Sequence, residues 1–160
     1  MENLDRPALL THVVQADDTL LERIAQKKHT VIHCPRSNRL LGCGRLALNR
    51  LKSRQIPWLL GTDGLSSNRS LNLWEEMRAA LAMHVDAPLE PLASDLLKAV
   101  TAEAGRALGL PIGKLAAAHK ADMIVVELPD APEEAESLPL QAVLHTDKAA
   151  AVYIEGERLV

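Results

Sequence analysis

Phenylalanine is absent from this 160-residue chain, and its aromatic residues amount to two Trp and one Tyr. Any core must therefore be assembled from Leu, Ala, Val and Ile, which bury less area per side chain than aromatics do. No apolar run is long enough to span a bilayer, and the N-terminus lacks the basic-then-apolar pattern of a secretory signal. A soluble cytoplasmic protein without membrane contact is the expectation. Cysteine is scarce as well. Cys34 and Cys43 have no second pair to complete a structural zinc set, so they read as free thiols in preference to a disulfide. A large excess of one charge sign is also missing: the formal net charge of -3, with both signs mixed, argues against a nucleic-acid surface. What is present is ordinary for a globular chain, with 48% hydrophobic residues and enough length for one domain with a core.

Periodicity organises the first half into repeated strand-loop-helix units. After a polar start from Met1 to Pro7, Ala8-Leu9-Leu10-Thr11 reads as a short buried strand that ends at His12. Asp17-Asp18 then opens a helix with Leu20, Leu21, Ile24 and Ala25 at helical spacing, and Lys27-Lys28 suits its end. The pattern recurs with a strand through Ile32, a loop holding Pro35, and a helix carrying Leu46, Leu48 and Leu51. It recurs again with a strand at Trp58 to Gly61, a loop, and a helix from Leu71 to His84. Three such units in succession predict parallel strands with right-handed crossovers. Beyond Pro88 the reading changes: one long helix from Leu92 to Leu108 stopped by Gly109, a linker through Pro111-Ile112-Gly113-Lys114-Leu115, and a strand at Asp122 to Leu128. An acidic loop follows from Asp130 to Ser137, and Ala151 to Ile154 and Glu157 to Val160 flank Gly156 as a terminal hairpin.

The chemistry-bearing residues collect where the apolar runs end. Thr30-Val31-Ile32 delivers His33, Cys34, Ser37 and Asn38, and Trp58-Leu59-Leu60 delivers Thr62, Asp63, Ser66, Ser67 and Asn68. In parallel sheets and barrels the loops at the carboxyl ends of strands build the site, which makes Asp63 a site candidate. An Asp before Gly also suits a turn or helix cap, Pro35 and Asn38 suit turn chemistry, and Asn68 or Ser70 suits the cap of the following helix. His29 reads as exposed, and His84, His119 and His145 read as surface residues because they lack ligand-type neighbours.

The segments THVVQADD, HCPRSNRLLG and GTDGLSSNRSLNLWEEMR together resemble the end of the catalytic barrel in the amidohydrolase superfamily. The likeness is to its chlorohydrolase and deaminase branch, which includes adenosylhomocysteine, guanine and aminofutalosine deaminases, and HCPRSNRLLG is most similar to the last of these. The resemblance runs from about Leu9 to Val160. It implies an α/β fold: the C-terminal three β/α units of a TIM-type (β/α)8 barrel over residues 8–110, then a helix and, over 111–160, the C-terminal share of a small β-sandwich. It also implies a metal-activated water that attacks an aminated purine-type ring. Asp63 matches the carboxylate that binds the metal and takes the water's proton, and His12 matches a histidine beside the metal that orients water or substrate. His33, Ser37, Asn38 and Ser67 become candidates for substrate binding.

One departure governs the expected mechanism. The superfamily holds its metal with an HxH pair, a further histidine and this aspartate, and the chain contains no HxH. Such sites use about three protein ligands. The favoured expectation is thus the C-terminal part of a metal-dependent deaminase, inactive by itself and completed by its N-terminal half, with zinc, or else iron or manganese, as the cofactor. Three other readings stand beside it. One is a non-catalytic fold fragment that binds a partner or ligand. Another is an enzyme that completes its site across a homo-oligomer, as a dimer with His12, His33 and Asp63 from facing copies. The third is a chlorohydrolase or amidohydrolase acting on another C–N or C–Cl substrate. An open sheet edge would favour self-association.

Overall fold

The structure, a computed structural model, describes residues 5–130 and 134–160. The expected N-terminal start up to residue 4 and the middle of the expected acidic loop, 131–133, lie outside the described residues. The chain divides into two compact units, Met1–Glu76 and Met77–Val160.

The first unit is α/β. Its elements are β1 (Leu9–Thr11), α1 (Asp18–Gln26), β2 (Thr30–His33), α2 (Pro35–Leu40), α3 (Leu48–Ser53) and β3 (Trp58–Leu60), followed by the start of α4 (Leu73–Met83). The strands form one sheet in the order β1-β2-β3. Both pairings are parallel, as the repeated units predict, with Leu10 opposite Val31 and Ile32 opposite Leu59. The ladders continue past the strands: the His12 amide donates to Ile32 O at 2.9 Å and the Gly61 amide to His33 O at 2.9 Å. The residues after each strand are thereby held level with one another.

Local chemistry explains most of these boundaries. Asp17 caps α1 by accepting from the Leu20 amide at 2.7 Å, and Leu21 and Ile24, three apart, turn into the core. Ile24, Val31 and Leu51 are fully buried, each worth about 1.5–3 kcal/mol by area. Arg54 joins Asp18 at 2.6 Å and Glu22 at 2.9 Å on the surface, a pairing that adds little to stability.

Three expectations need correction here. The first strand is not buried: β1 has β2 on one side only, and Leu9 keeps 43% of its surface exposed. The Pro35 segment is not a loop but the helix α2, because proline at the first helical turn needs no amide partner and its φ suits the helix. His29 is buried, and its Nδ1 accepts the Ala8 amide at 3.1 Å, which satisfies a backbone donor at the start of the sheet.

The second unit holds the rest of α4, then α5 (Leu89–Val100), α6 (Ala102–Leu108), β4 (Met123–Val125), a 3-10 turn (Ala135–Ser137), α7 (Leu138–His145), β5 (Ala151–Ile154) and β6 (Glu157–Arg158). The expected single helix over Leu92–Leu108 breaks at Thr101, whose φ of -125° and ψ of -95° are not helical. Gly113 passes so near this break that a Cβ on it would lie 2.2 Å from Thr101 O, so the chain after α6 packs against the interruption. Gly109 does end α6, in the left-handed conformation. Only Met123–Val125 of the predicted strand forms, in an antiparallel sheet ordered β4-β5-β6. The terminal hairpin is present: Ile154 pairs with Glu157 across Glu155 and Gly156, both at positive φ, as a two-residue turn requires. The helix α7 had no counterpart in the sequence reading, and His84 is buried, not a surface residue. Among the described residues no helix is long and apolar enough to cross a membrane.

Candidate active site

At the carboxyl ends of β1, β2 and β3 the chain brings His12, Ser37 and Ser67 onto Asp63, and Asn38 onto His12. Asp63 follows β3 after Gly61-Thr62 and adopts φ +61°, a conformation that aspartate tolerates. Its Oδ1 accepts the Gly64 amide at 2.7 Å. Its Oδ2 accepts the Ser37 hydroxyl at 2.6 Å and the Ser67 hydroxyl at 2.9 Å, and lies 3.6 Å from His12 Nε2. Ser37 comes from the first turn of α2, and the helix aims its hydroxyl at the carboxylate.

These donors hold the Asp63 carboxyl below the usual carboxylate range. The Ser37 hydroxyl contributes most, then the Gly64 amide and the Ser67 hydroxyl, with the charge of His12 adding a little. Because the folded value is depressed, its contribution to stability is present above the ordinary aspartate range and is lost as pH falls through the depressed value. Urea unfolding followed from about pH 5 down to about pH 2 should show the parent losing more stability than Asp63→Asn. Acid limbs that run parallel would contradict this.

His12 ends β1 with φ +71°, and Val13 follows at +52°, so the chain turns sharply just where the imidazole is presented. His12 Nδ1 lies 2.7 Å from Asn38 Oδ1, while the Asn38 amide nitrogen lies 3.5 Å from His33 Nδ1. With its oxygen towards His12, Asn38 accepts a hydrogen bond from Nδ1–H and turns Nε2 towards Asp63. The arrangement presents a carboxylate oxygen and an imidazole nitrogen to the same point. Ser37, Asn38 and His33 are fully buried, and Ser67 nearly so.

Asp63 and His12 are donors of the right kind for zinc, iron or manganese, but they are two where about three are needed. Among the described residues no group of three His, Cys, Asp or Glu stands where it could hold a metal ion. Cys34 is buried behind the cluster, and burial, then the charges of Asp63 and Glu76, push its thiol up to about 12.

Sequence reasoning missed a second layer behind the cluster. Asn68 caps no helix; its amide nitrogen donates to Thr62 O at 2.7 Å and to the buried carboxylate of Glu76. Asn72 takes the capping place, accepting the Trp74 amide at 2.9 Å. Glu76 stands next to Met77 and four residues before Ala80, both buried, so helical spacing puts it on the buried face of α4 while its charge suits a solvated one.

The sequence matches the amidohydrolase family over residues 2–159. The aminodeoxyfutalosine deaminase of a Nitratiruptor species is 43% identical over 152 residues, 95% of this chain and 37% of that protein. The crystal structure of Helicobacter pylori aminofutalosine deaminase in complex with methylthio-coformycin superposes with a TM-score of 0.88 at 33% identity, covering 95% of this chain and 37% of that one. An adenosine deaminase from Xanthomonas campestris with bound zinc is similar at a TM-score of 0.78 and 27% identity, over 94% of this chain and 36% of that one. The chain thus spans a little over a third of the length of the relatives it matches.

Proposed function

This chain belongs to the amidohydrolase family, and from that footing we propose that it acts as the C-terminal part of a metal-dependent deaminase of aminated purine-type rings. Residues 8–110 would supply the last three β/α units of a (β/α)8 barrel and 111–160 a share of a small β-sandwich. The observation that carries the reading is the convergence of His12, Ser37 and Ser67 on Asp63 at the carboxyl ends of parallel strands.

A divalent metal, with zinc favoured by the zinc-bound Xanthomonas relative, would supply Lewis acidity towards the attacking water, and Asp63 is the residue here that would hold it with His12 beside it. Asp63 Oδ2 takes the water's proton as the C–O bond forms and returns it to the amino nitrogen as the C–N bond breaks and ammonia leaves. Ser37 and Ser67 keep that carboxylate ionised and aimed. Asn38 fixes the tautomer of His12, so that Nε2 can accept from water or from a ring N–H. Ser67, the least enclosed of the four candidate binding residues, is the one best placed to touch substrate, while His33 supports Asn38 from behind.

The test replaces the matching segment of the Nitratiruptor deaminase with this chain and assays aminofutalosine and adenosine-type substrates. The chimera should turn over at least one of them, and the 160-residue chain alone none above background. Turnover by the chain alone, or a folded and metal-loaded chimera that is silent on the whole panel, would sink the proposal.

A further inference from the structure

Glu76 has no exposed surface, although it lies in an otherwise amphipathic helix. Its Oε2 accepts the Arg36 backbone amide at 3.1 Å, and its Oε1 accepts the Asn68 side-chain amide, which also donates to Thr62 O at 2.7 Å. Arg36 precedes Ser37, Asn68 follows Ser67, and Thr62 precedes Asp63. One buried carboxylate is therefore tied within a single residue of all three members of the Ser37-Asp63-Ser67 set. Two of those ties, the Arg36 amide and the Thr62 carbonyl, are main-chain groups, so the tether fixes backbone and not merely side-chain rotamers.

Burying a carboxylate is unfavourable, and an apolar side chain of similar volume would pack there more readily. Burial does push Glu76 up from its ordinary range, opposed first by the Arg36 amide and then by the Asn68 amide and the Arg36 guanidinium. A group kept against such a penalty, with one oxygen on the Arg36 backbone amide and the other on an Asn68 side chain that itself holds the Thr62 carbonyl, is explained by what it orients.

We propose that Glu76 is a positioning residue: its carboxylate holds Ser37 and Ser67 within hydrogen-bonding range of Asp63 and so sets the direction in which the Asp63 carboxylate points. The catalytic meaning of this tether rests on the deaminase reading above, whereas the tether itself does not.

The full chain, labelled with carbon-13 and nitrogen-15, reports directly. In Glu76→Gln one of the two acceptors becomes a donor, so the Asp63 carboxyl carbon resonance at pH 7 should move towards its position in Ser37→Ala. If the amide nitrogen of the new side chain faces Arg36, the Arg36 amide should also exchange with solvent about tenfold faster, in line with loss of a hydrogen bond to a charged group. Glu75→Gln, which removes the charge paired with the Arg36 guanidinium but leaves both Glu76 hydrogen bonds intact, should leave the Asp63 resonance in place. Asn68→Ala cuts the tether on one side, and keeps the test open should Glu76→Gln fail to fold. It should move the Asp63 resonance while Arg36 exchange stays slow. Folded Glu76→Gln and Asn68→Ala chains with lowered thermal stability but an unmoved Asp63 resonance would reduce Glu76 to a packing role and overturn the proposal. A moved resonance beside a silent chimera would uphold the tether and count against the deaminase reading alone.

Discussion

Asp63→Asn should lower turnover of the chimeric enzyme by about 100-fold or more, the loss expected when a general base is removed. The substitution keeps the shape of the side chain, and its carbonyl oxygen can still accept one of the hydroxyl bonds now made by Ser37 and Ser67. What disappears is the negative charge that faces His12 Nε2 and the oxygen that receives the proton. Metal content should fall too, because a carboxamide is a poorer ligand than a carboxylate. His12→Ala should impair turnover with less effect on metal content, since Asp63 retains both oxygens. Steady-state rates with metal analysis on the same preparations check both statements. An Asp63→Asn chimera within a few-fold of the parent rate would remove Asp63 from the chemistry.

The largest loss of stability is expected in the second unit, from Gly113→Ala. Gly113 has φ +86°, which L side chains rarely adopt, and a Cβ there would meet Thr101 O at 2.2 Å and the Thr101 carbonyl carbon at 2.5 Å. These are backbone atoms at the junction of α5 and α6, so no flexible side chain can swing aside. Strain at positive φ and overpacking each cost about 1–3 kcal/mol, and together they should remove about 3 kcal/mol or more. Thermal unfolding should shift down by on the order of 10 °C. Gly109→Ala is the useful contrast: its φ is +67° but nothing lies within 4 Å of the added atom, so only the conformational strain applies. Equal shifts for the two variants would show that the approach to Thr101 is not what requires glycine.

The order of strands and helices in the first half was legible because it is written in short-range terms. Apolar runs of three or four residues, the Asp17 cap and the three-residue spacing of Leu21 and Ile24 act within one element, and parallel pairing follows from their alternation. The terminal hairpin was legible for the same reason, since Gly156 sits in a turn of two residues. The division of Leu92–Leu108 at Thr101 was not, because its partner Gly113 comes 12 positions later and helical periodicity runs unbroken through the junction.

The site divides along the same line. That His33 ends a strand and His12, Ser37, Asn38, Asp63 and Ser67 come after one is a property of the chain order, and residues at strand ends are where a parallel sheet presents its polar groups. Which of them touch is not. Ser37 and Ser67 stand 30 residues apart and meet on one carboxylate oxygen because β2 and β3 pair in register and α2 begins directly after β2. His29 lies buried under a backbone amide 21 residues away, and Glu76 reaches 40 residues back to the Arg36 amide. Local patterning determined the order of the three parallel strands, the helix α1 between the first two, and the terminal hairpin. The tertiary structure decided which polar side chains are buried and paired, since a buried donor or acceptor must take its partner from whatever the packed sheet and helices bring within about 3 Å, regardless of distance along the chain.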